Sequence, residues 1–312
     1  MVNPKLIGPN KQAASKTPEQ RRKDAKVQIP LTDDVRVVET FDAVPVLNKR
    51  EPIITGDNST FEYLRLARIV LDPGKDDYSA QEISTSNEEL VFYVNRGSAQ
   101  VVVNGETHTL STGDVIYIGI NETAVVSATE FTDVSEFRAV DCNTSYPVQH
   151  IKHKELEKTE LAANVGSKRP MSVRTVYKLV DGANVQACRL LFGDTFMQQP
   201  GAVGSYPPHF HGPDGPFGFG KDAKEEIYHF RVQSTIEGDK PYVLQNCSRP
   251  GEEVGIYTHI FDEQAINVTH GYHDTIAPPA IEFMFTWCLA SFTEGRRDWA
   301  EVLNKPGFDN EW

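Results

Sequence analysis

SAQVVVNGETHTLSTGDVIYIGI (Ser98–Ile120) decides the fold class. Asn104-Gly105 separates two runs rich in Val and Thr, and both residues tolerate the positive φ that a two-residue turn demands. The stretch therefore reads as a tight antiparallel hairpin. Thr112-Gly113-Asp114 marks the next turn. Working outward, FEYLRLARIVL (Phe61–Leu71) and LVFYVN (Leu90–Asn95) are short runs of branched and aromatic residues, the composition of strands in a packed sheet. A second series starts near Ser172: SVRTVYKLV, VQACRLLFGDTF, EEIYHFRV, KPYVLQNC, VGIYTHIF, AINVT and IEFMFTWCLA. Strands at this spacing, with no helices between them, imply antiparallel sandwiches or barrels. The chain reads as all-β, two similar modules in tandem with few short helices. The expected organisation is a flexible N-terminal arm over residues 1–30, a first module over 31–160 and a second over 161–312. HKELEKTELAAN (His153–Asn164) reads as a helix or a polar linker, and RRDWAEVLN (Arg296–Asn304) as a short helical end.

The arm is rich in Lys, Arg, Pro and Gln and too poor in large apolar groups to fold alone. A chain of 312 residues leaves ample length for two cores after it is set aside. The net charge of −13 argues against nucleic acid or an anionic membrane as partner. No apolar run approaches the roughly 20 residues of a membrane helix, and the N-terminus lacks the apolar segment of a secretory signal. Cys142, Cys188, Cys247 and Cys288 are widely spaced with no C-x-x-C, which points to reduced thiols and a cytoplasmic protein.

Three segments carry chemistry: SYPPHFHG (Ser205–Gly212), EEIYHF (Glu225–Phe230) and HGYHDT (His270–Thr275). Side chains alternate along a strand, so His209 and His211 point the same way, and Glu226 on a neighbouring strand can meet them. His273 would complete the set. Imidazole and carboxylate ligands suit zinc, manganese, iron or nickel. A lone H-x-H is more often a pair of hydrogen-bonded sheet histidines; the ordered triplet outweighs that reading. Between the ligand segments, GPDGPFGFGKDAK (Gly212–Lys224) has too much Gly and Pro for helix or strand, and its Phe217 and Phe219 suit a loop at a pocket rim.

YPPHFH, EEIYHF and GYHDTIAPPAIEFMFTWCLAS together resemble the bicupin sugar isomerases grouped as 5-deoxy-glucuronate isomerase and 5-keto-4-deoxyuronate isomerase. The similarity extends upstream to RLLFGDTF (Arg189–Phe196) and downstream to EGRRDW (Glu294–Trp299), and covers most of residues 170–300. RLLFGDTF, GYH and the long gap between His211 and Glu226 lean to the 5-deoxy-glucuronate branch. GSAQVVVNGETHTLSTGDVIYIG leans to the other. The resemblance implies a tandem cupin fold with one divalent metal ion per chain, zinc before manganese, iron or nickel, held in the second module by His209, His211, Glu226 and His273. The first module has no H-x-H and offers only His108, so it is expected to be metal-free. The implied activity is an aldose–ketose isomerisation of a deoxy uronic acid by a cytoplasmic homo-oligomer. 5-Deoxy-glucuronate, from inositol breakdown, comes first, with 5-keto-4-deoxyuronate as the alternative. A cupin dioxygenase and a non-catalytic sugar-binding cupin are the rivals from other classes.

Isomerisation needs an acid–base group within hydrogen-bond reach of the reacting carbons. If Glu226 faces the ion, alternation turns Tyr228 and Phe230 inward and Glu225, Ile227 and His229 away. Tyr228 is thus the catalytic candidate, against the competing reading of an aromatic core residue. An anionic substrate also needs local positive charge in so acidic a protein. Arg189 and Lys224 are the candidates for its carboxylate.

Overall fold

The Asn104-Gly105 turn forms as its sequence requires. The two residues take φ of 54° and 78°, and the turn joins β6 (Ser98–Val103) to β7 (Glu106–Ser111) with Val103 opposite Glu106. The computed structural model describes residues 38–211, 223–248, 255–268, 271–299 and 302–308. The expected arm, and the Gly- and Pro-rich stretch with Phe217 and Phe219, lie outside the described residues.

The strands before that hairpin are β1 (Val38–Asp42), β2 (Lys49–Ile54), β3 (Leu64–Leu71), β4 (Gln81–Ser84) and β5 (Glu89–Arg96). After it come β8 (Val115–Ile118), β9 (Thr123–Ala128), β10 (Thr132–Ala139) and β11 (Gln149–Ile151). A six-stranded sheet in the order β11-β8-β5-β10-β3-β2 and a four-stranded sheet β4-β9-β6-β7 make the first sandwich. Leu90, Phe92 and Val94 from one sheet meet Val101, Val103 and Val126 from the other in a wholly apolar interior. The second sandwich comprises β12 (Ala162–Val165), β13 (Arg174–Val180), β14 (Leu190–Met197), β15 (Val203–His211), β16 (Lys224–Ser234), β17 (Tyr242–Ser248), β18 (Ile256–Phe261), β19 (Gln264–Val268), β20 (Tyr272–Ile276), β21 (Ile281–Ser291) and β22 (Val302–Asn304). Its sheets run β1-β19-β16-β21-β14-β13-β12 and β18-β17-β20-β15-β22, so β1 crosses over to complete the second sandwich. The architecture is the expected all-β pair of antiparallel modules.

The two larger sheets pack back to back. Leu66, Val91, Tyr93 and Phe137 from the first module share one buried cluster with Leu190, Phe192, Ile227 and Cys288 from the second. This explains why β16 is buried on both faces: one lines the second module's interior and the other meets the first module. A pair of buried carboxylates locks the junction. Glu225 accepts the backbone N–H groups of Glu62, Tyr63 and Leu64 at 2.5, 2.9 and 2.9 Å, so it is neither free nor at the surface. Glu89 accepts those of Cys188, Arg189 and Leu190 at 2.6, 2.6 and 2.7 Å. Glu89 satisfies three buried donors, each of which would cost about 1–3 kcal/mol if left unpaired, and Glu225 does the same for one buried and two part-buried donors. By this shared role β5 and β16 are counterparts, and Leu90 and Phe92 stand where the second module has Glu226 and Tyr228. All four cysteines are free and buried.

Of the two stretches with helical expectations, the first is helical only at its start and the second is corrected. His153–Leu156 forms a single helical turn, after which Ala162–Val165 becomes the edge strand β12, paired with β13. In the C-terminal stretch Val302–Asn304 is strand β22, because the open edge of β15 offers hydrogen-bond partners that an isolated turn of helix lacks.

Candidate metal centre

The strand that carries two of the histidines is irregular, and its irregularity aims them. β15 pairs with β20 at Val203–Ile276 and Gly204–Thr275, loses register, and resumes with His209 opposite His273. Pro207 and Pro208 cannot donate to a ladder, so the skipped segment sits where pairing is interrupted. The Tyr206–Pro207 peptide is cis and Ser205 has a φ of 51°. On the other side β22 pairs with His209 and His211. Glu226 does not come from a neighbouring strand in that sheet, as alternation alone suggested. It reaches across the sandwich from β16 in the facing sheet.

The three imidazoles present ligand atoms within 4.8 Å of one another. His209 Nδ1 lies 2.8 Å from the Pro207 carbonyl and His273 Nδ1 lies 3.3 Å from that of Gly271. A carbonyl only accepts, so each Nδ1 must carry the ring proton and each Nε2 offers a lone pair to the centre. Glu226 Oε2 lies 3.2 Å from His273 Nε2 and 3.7 Å from His211 Nδ1, yet it has no hydrogen bond among the described residues although it is buried. An orphaned buried carboxylate oxygen beside neutral imidazoles is the donor set of a cation site. The residues fit a divalent ion.

Burial sets the charges. It lowers the His209 and His273 pKa values to about 4 and that of His211 well below its usual range, so all three rings are neutral and ready to ligate at pH 7. Burial pushes Glu226 up to about 8. Without metal, the folded state therefore keeps this proton while the unfolded chain releases it above about 4.5, so rising pH across that interval destabilises the metal-free protein. Metal competes with the same proton. Divalent-metal affinity is expected to rise about tenfold per pH unit up to about pH 8 and level off above it, which calorimetric titration at several pH values checks.

A cavity of about 350 Å³ opens from this cluster. Ser205, Tyr228 and Thr195 give it polar groups, Val176, Phe285, Trp287 and Trp299 give it an apolar wall, and Arg174 and Lys178 give it positive charge. Tyr228 faces inward as expected, with its hydroxyl 3.0 Å from His273 Nε2. Gly193 makes room for the wall, since a Cβ there would lie 2.2 Å from the Trp287 ring and 2.1 Å from the Tyr177 carbonyl. Lys224 is in phase with Glu226, is buried, and its charge helps to hold His211 neutral.

Arg189 is placed elsewhere, and the expectation that it meets a substrate carboxylate is corrected. Its guanidinium donates to the carbonyls of Asp141, Ser291 and Phe292 and stacks 4.2 Å from the Tyr63 ring centroid at the module junction. Arg174 is the arginine the sequence reading missed. It donates to the carbonyls of Ser172 and Tyr206 at 2.9 and 2.6 Å, which occupy only part of its five-donor fork. Its charge bears on both His209 and Tyr228. Arg174, Val176 and Lys178 share one phase of β13, a period-2 signal that was present in SVRTVYKLV with nothing to fix which face looked inward.

A family model described as the KduI/IolB family matches residues 47–308, nearly the whole described chain. The chain belongs to the KduI/IolB family. A 4-deoxy-L-threo-5-hexosulose-uronate ketol-isomerase of Agrobacterium fabrum is 26% identical over 201 residues, 59% of this chain and 69% of that protein. A protein of the same name from Oceanobacillus iheyensis is 24% identical over 147 residues, 46% of this chain and 52% of its own length. The chain thus spans about half the length of some of the curated relatives it matches. The crystal structure of an IolB-like protein from Salmonella typhimurium LT2 shares the fold at a TM-score of 0.70, with 16% identity over 88% of this chain and 98% of that one. The two sandwiches of this KduI/IolB member are tandem jelly-roll modules of the cupin type. Among the described residues no helix is long and apolar enough to cross a membrane.

Proposed function

We propose that this protein is a metal-dependent ketol-isomerase of a deoxy uronic acid, with 4-deoxy-L-threo-5-hexosulose-uronate as its substrate and the second module as the seat of the reaction. The observation that carries this reading is a cluster of three neutral imidazoles and a carboxylate with one unpaired buried oxygen, two of whose histidines line the same cavity as a buried arginine. The names of the curated relatives support the 4-deoxy-5-keto uronate. The 5-deoxy-glucuronate branch, expected first from RLLFGDTF and GYH, has no such support and gives way to its alternative.

The reaction moves one proton between adjacent carbons while a carbonyl and a hydroxyl exchange places. His209, His211, Glu226 and His273 would hold a divalent cation, which when bound would supply Lewis-acid polarisation to the reacting centre. Tyr228, which burial and the neighbouring Glu226 keep protonated, acts as the acid: its hydroxyl lies within hydrogen-bond reach of the ligand cluster and donates to the substrate oxygen on which charge develops. Arg174 remains cationic at neutral pH although burial lowers its pKa to about 10, and it fixes the carboxylate of an anion that the net charge of −13 would otherwise repel. Lys178 lies 5.0 Å above the Trp299 ring centroid and adds to the local positive charge. Phe285, Trp287 and Val176 keep water from the reacting carbons.

Arg174→Met is expected to raise KM for the uronate about ten- to a hundredfold, the loss of a charge-assisted contact, with a smaller change in kcat. Steady-state kinetics checks this, with circular dichroism to verify the fold. A KM equal to that of the parent would remove Arg174 from substrate binding.

A further inference from the structure

We propose that Ser205 is a positioning residue for proton transfer, acting through Tyr228; the proposal rests on the isomerase reading above. Its hydroxyl donates to the Tyr228 hydroxyl oxygen at 3.1 Å, both groups line the metal-site cavity, and Ser205 is 7% exposed. The Tyr228 hydroxyl is in turn 3.0 Å from His273 Nε2. Because His273 Nδ1 holds the ring proton against the Gly271 carbonyl, Tyr228 must be the donor in that contact. Ser205 donates into the Tyr228 oxygen and so leaves the Tyr228 proton to go onward to the ligand cluster, to His273 Nε2 or the Glu226 carboxylate. When Nε2 is engaged by a ligand of its own, the same serine bond keeps the tyrosine oxygen in place and leaves its proton free to point at substrate.

The backbone argues that this is more than a satisfied core hydroxyl. Ser205 adopts a φ of 51°, a region where a side chain is disfavoured and glycine is at ease. It does so inside the register break of β15, directly after Gly204. Non-glycine residues in such conformations gather at functional sites, where the surrounding structure holds them. A serine kept where glycine would fit more easily points to use of its hydroxyl. The only hydrogen-bond acceptor of that hydroxyl among the described residues is the catalytic candidate.

The test is a double-mutant cycle on the metal-loaded full chain with 4-deoxy-L-threo-5-hexosulose-uronate. Ser205→Gly removes the hydroxyl and suits the positive φ, so the backbone path is kept. Alone it is expected to lower kcat about tenfold at unchanged KM and metal content, and in a Tyr228→Phe background to cost nothing further. Ser205→Ala, which retains the Cβ, is expected to match it. A kcat within about twofold of the parent, or a loss fully additive with that of Tyr228→Phe, overturns the proposal. A second readout separates this failure from failure of the isomerase reading. In protein carrying 13Cζ-tyrosine, Ser205→Gly is expected to move the Tyr228 resonance whether or not the parent turns over the uronate. An unmoved resonance overturns the positioning role; a moved resonance in an inactive parent supports that role and overturns the isomerase reading.

Discussion

His211→Ala is expected to lower divalent-metal affinity more than about a hundredfold, beyond the loss seen when only an outer partner of a ligand is removed, and to take turnover with it. The ring sits between His209, His273 and Glu226, so its loss breaks the cluster without touching the cores. The β fold is expected to survive. The second module's interior is walled by Phe230, Phe283 and Phe285, and its outer face is packed on the first module, neither of which depends on a metal. Elemental analysis beside far-UV circular dichroism checks both halves. An alanine variant that unfolds where the parent is stable would make the ion structural.

Tyr228→Phe is expected to retain metal and lose roughly a hundredfold in kcat, the usual size of a general acid–base contribution. Aromatic packing against Phe285, with centroids 4.8 Å apart, is kept by phenylalanine. The substitution thus isolates the hydroxyl. Removing it leaves Ser205 without its acceptor and frees His273 Nε2, so a modest fall in stability accompanies the kinetic loss. A change in kcat below about threefold, measured at saturating substrate, would return Tyr228 to the role of a core aromatic.

Much of this was legible because short-range rules governed it. Asn104-Gly105 announced its own turn, and H-x-H announced two of the three imidazoles that the fold brings together. The misreadings share a cause in long-range pairing. TDVSEFRA (Thr132–Ala139) is too charged to read as a buried strand, yet it is central strand β10 of its sheet. Asp133 pairs with Arg68 and Arg231, and Glu136 with Arg50 and Arg138. RRDWAEVLN carries no sign that its end will meet an open edge of β15. Arg189 and Arg174 are alike in sequence, both leading strands of the second series. Only the packing of one module on the other draws Arg189 into the junction and leaves Arg174 to the cavity. Glu225 and Glu226 are likewise adjacent and chemically identical, but the pleat sends one to clamp the first module and the other to the centre.

The most direct test of the central claim is NMR of the metal-loaded protein with 4-deoxy-L-threo-5-hexosulose-uronate in deuterated water, with 5-deoxy-glucuronate and a neutral deoxy sugar run alongside. The account predicts conversion of the 4-deoxy uronate to its ketol isomer with exchange at one carbon, abolished by chelation, and at most about a tenth of that efficiency on the neutral sugar. Absence of isomerisation with metal bound, or equal turnover of the neutral sugar, would contradict it.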